Sequence, residues 1–392
     1  MNTPRKKVHV AMSGGVDSSV AAALLKEHGF DVRGVHIKMW SDPKIPCTTK
    51  EDRYDAMRVA AKLDIPFETW DFTEEYRKAV VEYMIREYAG GRTPNPDVMC
   101  NREIKFGVFL KRAIEHGADF VATGHYVRLR QHNANLRMNS NATNTIRGIR
   151  KKFASFALYS ARDSQKDQSY FLWTLTQEQL AHSLFPVGEY TKPEVRELAR
   201  KFDLPTAEKK DSQGLCFIGK IDVSKFLKEY IPESRGEILT AAGKKVGEHD
   251  GLGFYTIGQR KGLSKGGGTP YYVAAKDFAS NSLIVAESDS DKNLYKNELT
   301  ANSVNWISGA VPALPYECEA RIRYRQPLQS CRIEARNYAD STQTDAEGFS
   351  AKVSVKSASV RVRFAQPQRA VTSGQSVVFY KDDEMLGGAV IE

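Results

Sequence analysis

Residues 8–19 read VHVAMSGGVDSS, in which an alternating apolar strand leads into a turn rich in glycine and hydroxyl groups. The alternation of apolar with polar or small residues predicts a strand. Gly14 and Gly15 permit a tight turn whose backbone amides can face an anion. A helix is predicted over about residues 18–28, and Gly29 suits the position just beyond its end. Because a helix N-terminus favours negative charge, this stretch predicts a phosphate-binding loop.

The class of phosphate loop follows from what the string contains and lacks. A Walker loop needs Lys and then Ser or Thr directly after its second glycine, and no lysine lies between Met12 and Lys26. An ordinary strand-turn-helix, with glycines for geometry alone, stays open for a two-glycine turn. The full string SGGVDSS resembles the PP-loop of the ATP pyrophosphatase superfamily, whose members cleave ATP between the α and β phosphates. The resemblance implies these ATP contacts: Ala11, Met12, Ser13, Gly14, Gly15, Val16, Asp17, Ser18, Met39 and Gly124.

The whole chain bounds the class of protein. Its 392 residues suffice for about two or three domains with a large core in at least one of them. Hydrophobic residues make up 41% and charged ones 27%, and no run approaches the roughly 20 apolar residues of a membrane helix. The first strand begins near residue 7, which leaves no room for a signal peptide and predicts a cytoplasmic protein. A net charge of +9 is consistent with an anionic partner such as nucleic acid.

The first third of the chain alternates strands with helices. Further elements are predicted in this order: strand 30–39, helix 51–63, strand 67–72, helix 74–88, helix 102–116 and strand 118–123. Such alternation predicts an α/β fold with a doubly wound parallel sheet, which binds ligands at the carboxyl ends of its strands. Met39 and Gly124 both follow predicted strands, so we expect the nucleotide base near them. His125 alone is no evidence of a site, because an isolated histidine at a strand end is more often structural.

The remainder of the chain becomes β-rich. Residues 131–152 contain many asparagines without an apolar period and are interpreted as a surface insertion, as is the stretch 337–349. Thr191 and Glu194 form a capping-box pattern at the start of a helix. Three domains are expected: a catalytic domain over 1–222, a small central β-rich domain over 223–294 and a C-terminal β-barrel over 295–392.

Arginines alternate with apolar residues in the predicted barrel. Residues 317–325 (ECEARIRYR) predict a half-buried antiparallel strand with Arg321, Arg323 and Arg325 on its outer face. A solvated charged face is one interpretation, since such alternation is common. Contact with a phosphate backbone is the other, and it is favoured by the concentration of further arginines nearby. These further arginines are Arg332, Arg336, Arg361, Arg363 and Arg369.

Two of the five cysteines stand in chemically suggestive strings. No C-x-x-C pair occurs, so neither a disulfide framework nor a zinc site is predicted. Cys100 lies in TPNPDVMCNREIKF, where a helix starting near Asn101 and the charge of Arg102 would stabilise a thiolate. Cys216 lies in KKDSQGLCFIG, in a turn flanked by glycine. A lone loop cysteine is more often a small buried hydrophobe, but the two strings together weigh against that interpretation.

The motifs together resemble those of the tRNA-specific 2-thiouridylase family, in the same order and over nearly the full length. They are SGGVDSS, TPNPDVMCN, TGHY (123–126), KDQSYFLW (166–173), DSQGLCFIG, RYRQ (323–326) and GQSVVFY (374–380). The resemblance implies a PP-loop domain, a small central β domain and a C-terminal β-barrel. It also implies ATP- and Mg²⁺-dependent 2-thiolation of the wobble uridine in the tRNAs for Glu, Gln and Lys, with sulfur from a persulfide donor protein.

The same resemblance assigns roles to particular residues. Cys216 would carry the sulfur as a persulfide, Cys100 would be the paired nucleophile, and Asp97 a general acid or base. Because the target base must leave the anticodon stack, an extruded nucleotide held by loop contacts is expected. The implied tRNA contacts are Asn95, Pro96 and Asp97 at the base, with His125, Lys166, Asp167, Gln168, Arg323, Tyr324 and Gln375 elsewhere.

Two other functions fit parts of the sequence. A PP-loop amide-forming synthetase would share the phosphate loop, but it would leave the cysteines incidental and the basic barrel unexplained. An RNA-binding scaffold with a vestigial PP-loop would explain only the positive net charge of the chain. Pyrophosphate release that depends on tRNA separates the three, because the scaffold would show none and a synthetase of small molecules would ignore tRNA.

Overall fold

The computed structural model describes residues 5–42, 49–132, 155–210, 223–263, 270–336 and 359–392. Cys216 therefore lies outside the described residues. So do the 337–349 stretch and all but the first two residues of the 131–152 stretch, and their interpretation as surface insertions stays a prediction.

The described residues form helices and strands in an order that begins as α/β and ends as β. The helices are α1 (Val16–Glu27), α2 (Thr49–Lys62), α3 (Thr73–Tyr76), α4 (Tyr83–Ala89), α5 (Pro96–Met99), α6 (Phe109–Glu115), α7 (Gln177–Ala181), α8 (Lys192–Lys201) and α9 (Val223–Leu227). The strands are β1 (Lys7–Ala11), β2 (Asp31–Lys38), β3 (Phe67–Asp71), β4 (Phe120–Ala122), β5 (Val127–His132), β6 (Ser155–Ser160), β7 (Ser183–Leu184), β8 (Gly236–Thr240), β9 (Lys245–His249), β10 (Tyr272–Asp277), β11 (Ser282–Ala286), β12 (Tyr295–Trp306), β13 (Tyr316–Arg321), β14 (Gln329–Ala335), β15 (Val360–Arg369), β16 (Ser376–Lys381) and β17 (Glu384–Ile391).

The N-terminal unit is a parallel sheet of five strands in the order β3-β2-β1-β4-β7. Helices cover it because its strands are apolar on both faces, and Val8 and Val10 of β1 are fully buried. The prediction of a doubly wound parallel sheet is confirmed. Helix ends also match their sequence signals: Gly29 has a φ of +83°, and the Thr191 amide donates to Glu194 Oε2 at 2.7 Å.

The second half of the chain contains two further sheets, as its composition predicts. The central sheet has the order β10-β11-β8-β9, with β8 and β11 parallel and the other pairs antiparallel. The C-terminal strands form a closed barrel in the order β12-β15-β14-β13-β16-β17, because β12 also pairs with β17. The predicted sequence of a parallel-sheet domain, a small β unit and a β-barrel is therefore confirmed.

One hairpin joins the first unit to the last. Strands β5 and β6, which the sequence did not predict, leave the N-terminal unit after β4 and extend the barrel sheet beyond β17. Met385 and Glu384 of β17 lie opposite Leu158 and Tyr159 of β6. The hairpin therefore fixes the barrel against the parallel-sheet unit. None of the described helices is long and apolar enough to cross a membrane.

The predicted strand over 317–325 is only partly correct. Strand β13 ends at Arg321, and residues 322–325 form a turn in which Arg325 has a φ of +63°. The strand alternation of inward and outward side chains therefore ends at Arg321, whereas the prediction continued it to Arg325. Arg321 turns inward to the joint with the N-terminal unit, where its side chain is 12% exposed, so it does not belong to an outer face.

Candidate active site

Hydroxyl groups of the phosphate loop itself hold the turn between β1 and α1. Ser18 Oγ accepts from the Ser13 amide at 3.2 Å and donates to the Gly15 carbonyl at 3.2 Å. Ser19 Oγ donates to the same carbonyl at 2.8 Å. Helix α1 begins at Val16, and no side chain caps its N-terminus. The first-turn amides are therefore available to an anion, as a nucleotide phosphate requires.

Two glycines let neighbouring backbone approach the phosphate loop closely. Gly14 has a φ of +76°, and a Cβ there would lie 2.1 Å from the Asp52 carbonyl oxygen. A Cβ on Gly124 would lie 2.6 Å from the Ser18 amide nitrogen. Gly124 follows β4, so the loop and Gly124 meet where the strand order reverses. Such switch points are the usual ligand crevices of open α/β sheets.

Asp17, in the first turn of α1, is engaged by two residues that sequence reasoning did not single out. Tyr126 Oη donates to Asp17 Oδ1 at 2.7 Å. Lys192 Nζ, from the start of α8, donates to Asp17 Oδ1 and Oδ2 at 2.8 and 2.9 Å. Tyr126 and Lys192 are both buried. The carboxylate is therefore fixed beside the phosphate loop.

The methionines predicted to contact ATP occupy different positions. Met12 is buried, its amide donates to the Val35 carbonyl at 2.8 Å, and its carbonyl lies 3.1 Å from His36 Nδ1. Its side chain therefore belongs to the core. Met39 directly follows β2, is half-buried and packs against the main apolar core. It remains a candidate for contact with the nucleotide base.

His125 is buried next to Gly124. Its Nδ1 lies 2.7 Å from Thr123 Oγ1, and its ring lies 6.0 Å from that of Phe106 and 6.4 Å from that of Phe185. Burial, and then the charge of Lys105, hold the pKa of His125 well below its usual range. Contact of this side chain with tRNA would therefore require the loop to open, and the contact stays a prediction.

The helix carrying Cys100 begins earlier than predicted. Asn95 Oδ1 accepts from the Val98 amide at 3.2 Å, Pro96 occupies the first helical position, and α5 continues through a π-helical segment from Cys100. Cys100 therefore lies in the second turn, not at the N-terminus. Arg102 is directed to Glu103, with its Nε 2.6 Å from Glu103 Oε1. The expected stabilisation of a thiolate by a helix N-terminus at Cys100 is wrong.

Asp97 and Cys100 are nonetheless placed together in the first turns of this helix. Burial raises the pKa of Asp97, against the smaller opposing effect of the Lys105 charge. A raised pKa makes the carboxyl group a better proton acceptor than an ordinary aspartate, which suits the predicted role of general acid or base. Cys100 is only 3% exposed. Its thiol is thus kept from bulk solvent in this conformation.

The barrel and the central unit hold the loop before this helix. Gln375 Nε2 donates to the Thr93 and Pro94 carbonyls at 2.9 and 3.1 Å, and the Thr93 amide donates to the Ser373 carbonyl at 2.8 Å. Thr93 Oγ1 also lies 3.4 Å from Thr256 Oγ1 of the central unit. A cavity of 310 Å³ opens where the three units meet. Its walls are Thr93, Thr256, Ile257, Gly258, Gln259, Arg323, Thr372 and Gln375.

Residues Arg323 and Tyr324 lie in the turn after β13. Arg323 Nη2 donates to the Ile257 and Ala370 carbonyls at 3.2 and 3.1 Å, so its guanidinium spans the central unit and the barrel. The Tyr324 ring lies 4.6 Å from that of Phe171. Arg323 and Gln375 thus line the same cavity, and Tyr324 borders the 166–173 motif; the contact of these residues with tRNA stays a prediction.

The segment 166–168 lies between the phosphate loop and the barrel. Gln168 Oε1 accepts from the Tyr126 amide at 3.0 Å, and the Gln168 amide donates to the Tyr126 carbonyl at 2.9 Å. Asp167 is buried and accepts from Ala161 and Ser169, with Arg321 Nη1 3.5 Å from its Oδ2. Lys166 is half-buried. Asp167 therefore has an architectural position, and its contact with tRNA stays a prediction.

Most of the arginines that favoured phosphate contact lie against carboxylates. The pairs are Arg332 with Glu317 and Glu334, Arg363 with Glu298 and Glu334, Arg336 with Glu392, and Arg369 with Asp289. The barrel surface is thus less positive than its arginine content suggests. Apart from Glu334, which lies two residues after Arg332 on β14, these partners are distant along the chain, so sequence alone could not show the pairs.

Sheet order, glycine contacts and the uncapped helix define a phosphate-binding α/β unit of the class that binds nucleotides at its switch point. Three family models match the chain. They are described as a tRNA methyl transferase HUP domain over residues 6–220, a tRNA methyl transferase PRC-barrel domain over 224–287 and an aminomethyltransferase beta-barrel domain over 296–342 and 341–391.

Two relatives of similar length are named tRNA-specific 2-thiouridylase MnmA. The first, from Francisella tularensis subsp. novicida (strain U112), is 42% identical over 393 residues, 98% of this chain and 99% of the relative. The second, from Hydrogenovibrio crunogenus, is 42% identical over 392 residues, 98% of this chain and 93% of the relative. The chain belongs to the tRNA-specific 2-thiouridylase family, and the resemblance inferred from its motifs is confirmed.

Among solved structures, a 4-thiouridine synthetase–RNA complex with bound ATP aligns over 57% of this chain and 50% of that one. Its sequence identity is 16% and its TM-score 0.35, which is too low to support a conclusion.

Proposed function

We propose that this protein is an ATP-dependent tRNA sulfurtransferase that replaces the 2-oxygen of the wobble uridine with sulfur and releases AMP and pyrophosphate. One observation carries the proposal: the chain matches 2-thiouridylase relatives over 98% of its length. The open phosphate loop supplies the site that such a reaction needs for ATP. Methyl transfer, which the descriptions of two matched models name, has no use for that loop.

The phosphate loop would bind the triphosphate of ATP through the first-turn amides of α1. The 2-carbonyl oxygen of uracil is a poor leaving group, so its adenylylation comes first and AMP then becomes the group that departs. Donors that face the departing pyrophosphate stabilise the charge that develops on it. Mg²⁺ would arrive with the phosphates as its ligands, since the described residues contain no cluster of three metal-ligating side chains.

Asp97, Cys100 and Cys216 would carry out the sulfur transfer. The raised pKa of Asp97 suits a group that removes or returns a proton. Cys216 would bring the sulfur as a persulfide, and Cys100 would release it by attacking the Cys216 sulfur or would resolve the enzyme after direct transfer. Either route forms the carbon–sulfur bond, expels AMP and leaves a Cys100–Cys216 disulfide. Because Cys100 is buried, the extruded base has to displace part of its cover.

The tRNA would lie across the junction of the three units. Support comes from the cavity that Arg323 and Gln375 share with the loop before Asn95. We propose the tRNAs for Glu, Gln and Lys as substrates, a persulfide-carrying protein as sulfur donor and the cytoplasm as the location. We also propose domain limits at 222/223 and 294/295. Support comes from the family matches, which cover residues 6–220, 224–287 and 296–391, while β6 of the first range pairs with β17 of the last.

The deciding experiment supplies unmodified tRNA, ATP and a persulfide source, and measures 2-thiouridine by nucleoside mass spectrometry. We expect 2-thiouridine at the wobble position, and AMP formation that depends on tRNA. AMP formation without tRNA would favour an amide-forming synthetase of small molecules, and none under any condition would favour a scaffold.

A matched pair of cysteine variants tests the assignment of the nucleophile. Cys100→Ser should abolish thiolation, because a hydroxyl cannot accept or release the sulfur. Cys318→Ser, in β13 of the barrel, should thiolate at the rate of the unsubstituted protein. Equal rates in all three proteins would refute the role of Cys100.

A further inference from the structure

The phosphate loop contains no cation of its own. No lysine or arginine occurs between Met12 and Lys26, although the loop is predicted to receive a highly charged anion. Its only acidic residue is Asp17, which stands in the first turn of α1. An unopposed carboxylate there would repel a phosphate at the same helix end. The fold must therefore oppose this charge from elsewhere.

Lys192 is that opposing charge. Its Nζ lies 2.8 and 2.9 Å from the two carboxylate oxygens of Asp17, and its side chain is only 11% exposed. The ammonium is also 5.9 Å from the centre of the Tyr126 ring, and the Lys192 amide donates to Asp163 Oδ2 at 2.9 Å. Both ends of the residue are thus held in place.

A second ion pair between the same two helices has a different character. Lys201, at the end of α8, lies 3.5 Å from Glu27, at the end of α1, and these side chains are 66% and 48% exposed. An exposed pair of this kind contributes little. Helices α1 and α8 thus carry one partly buried pair at the phosphate loop, in which the Asp17 side chain is 32% exposed, and one solvated pair at the opposite end. The solvated pair provides a control for the partly buried one.

We propose that Lys192 is a positioning residue that makes the loop an anion site by neutralising and fixing Asp17. With the ammonium in place, the loop presents amides and hydroxyl groups to the pyrophosphate part of ATP. Without it, the Asp17 carboxylate keeps the neutral hydrogen bond from Tyr126 Oη, but its negative charge is no longer balanced beside the incoming phosphates. This inference deepens the proposed function, because it concerns the same ATP site.

Inorganic pyrophosphate is the probe, and its affinity is measured by calorimetry on the full chain in buffer without divalent metal. Lys192→Met should weaken binding about tenfold or more, since a nearby like charge is unmasked. Lys192→Arg should retain most of the affinity, and Lys201→Met should retain all of it. Pyrophosphate binding requires neither tRNA nor sulfur, so its outcome is independent of whether the protein thiolates tRNA.

The double variant Asp17→Asn, Lys192→Met separates charge from folding. It leaves no unpaired charge, so both the melting temperature and the affinity for pyrophosphate should return towards those of the unsubstituted protein. If Lys192→Met binds pyrophosphate normally, the proposal fails. It fails equally if the double variant regains its melting temperature but still binds weakly, because Lys192 would then act on the phosphates directly.

Discussion

At the phosphate loop, no side chain caps the N-terminal amides of α1, whereas on the barrel most arginines of the predicted basic surface lie against carboxylates. Both regions have the composition of an anion site. The first keeps donors for an anion: although the Ser13 amide donates to Ser18 Oγ, the first-turn amides of α1 have no side-chain cap and no acceptor within the helix. A long guanidinium side chain on the barrel can instead reach a neighbouring Glu or Asp. Anion sites built from backbone are therefore the more secure inference.

The largest expected effect is that of Gly14→Ala. The new Cβ would lie 2.1 Å from the Asp52 carbonyl oxygen, in a backbone with a φ of +76°. We expect ATP binding to fall below detection, because the loop must move to relieve the clash. Gly117→Ala is the matched control, since its φ is +80° but nothing lies within 4 Å of its Cβ. It should cost only about 1 kcal/mol of stability and leave ATP affinity unchanged. Calorimetry with ATP and thermal melts measure both.

Arg321→Met should give the next largest effect, on folding rather than on binding. Arg321 and Asp167 are 12% and 3% exposed, so the substitution leaves a buried carboxylate without its cation. Loss of one partner of a buried pair costs roughly 3 kcal/mol. Urea unfolding should show this loss, and Asp167→Asn in the same chain should recover part of it. A change below about 1 kcal/mol would mean that the joint between barrel and N-terminal unit does not depend on the pair.

Acid should act on the phosphate-loop side of the molecule before it acts on the barrel. All eight histidines precede residue 250, and burial holds the pKa of His125 well below its usual range. Below about pH 6.5, His125 is protonated in the unfolded chain but stays neutral in the folded chain. The free energy of unfolding therefore falls as the pH falls, by up to about 1.4 kcal/mol per pH unit.

The acid effect is measured by urea unfolding at about pH 7.5 and pH 5.5. His125→Asn should reduce the difference in stability between the two pH values. Burial, and then the charge of Arg33, lower the pKa of His9 to about 4, so some acid sensitivity should persist in that variant. An unchanged difference would mean that His125 becomes protonated in the folded protein.

Arg363→Met should have the smallest effect. The Arg363 guanidinium lies 3.4 Å from Glu298 and 3.6 Å from Glu334, and its side chain is 52% exposed. A surface pair of this kind is worth at most about 1 kcal/mol. Because the charge of Arg363 is already balanced by Glu298 and Glu334, its removal should hardly change the affinity for tRNA or the dependence of that affinity on salt. Arg323→Met at the cavity should flatten the salt dependence. A larger effect of Arg363→Met than of Arg323→Met on the salt dependence would mean that the outer face of the barrel contacts the tRNA phosphates.

The parts of the fold that sequence predicted are those decided by neighbours along the chain. The capping box at Thr191, the glycine after α1 and the alternation of strands and helices are all local signals. The start of the Cys100 helix could also have been predicted, because Asn95 followed by Pro96 is a common signature of a helix N-terminus. The prediction instead placed the start next to Cys100, near Asn101. Lys192 had no such signal, since its contact with Asp17 depends on how α8 packs.

Contacts across strands explain the other errors. The pairing registers of β13 with β14 and of β14 with β15 place carboxylates beside Arg332 and Arg363, and the residues next to these arginines along the chain do not specify those registers. The same holds for β5, which includes the first two residues of the 131–152 stretch, and for β6, which follows that stretch and pairs with β17 more than 200 residues later.

The hairpin formed by β5 and β6 also has a consequence for synthesis on the ribosome. The hairpin is translated long before β17, which pairs with β6 in the barrel. The edge of β6 that pairs with β17 therefore stays unpaired while the intervening residues are made. Contacts so distant in sequence form slowly, because the closure of a long loop must come first. A nascent chain therefore exposes the free edge of β6 until β17 has been made, and in that interval it is open to chaperones and to aggregation.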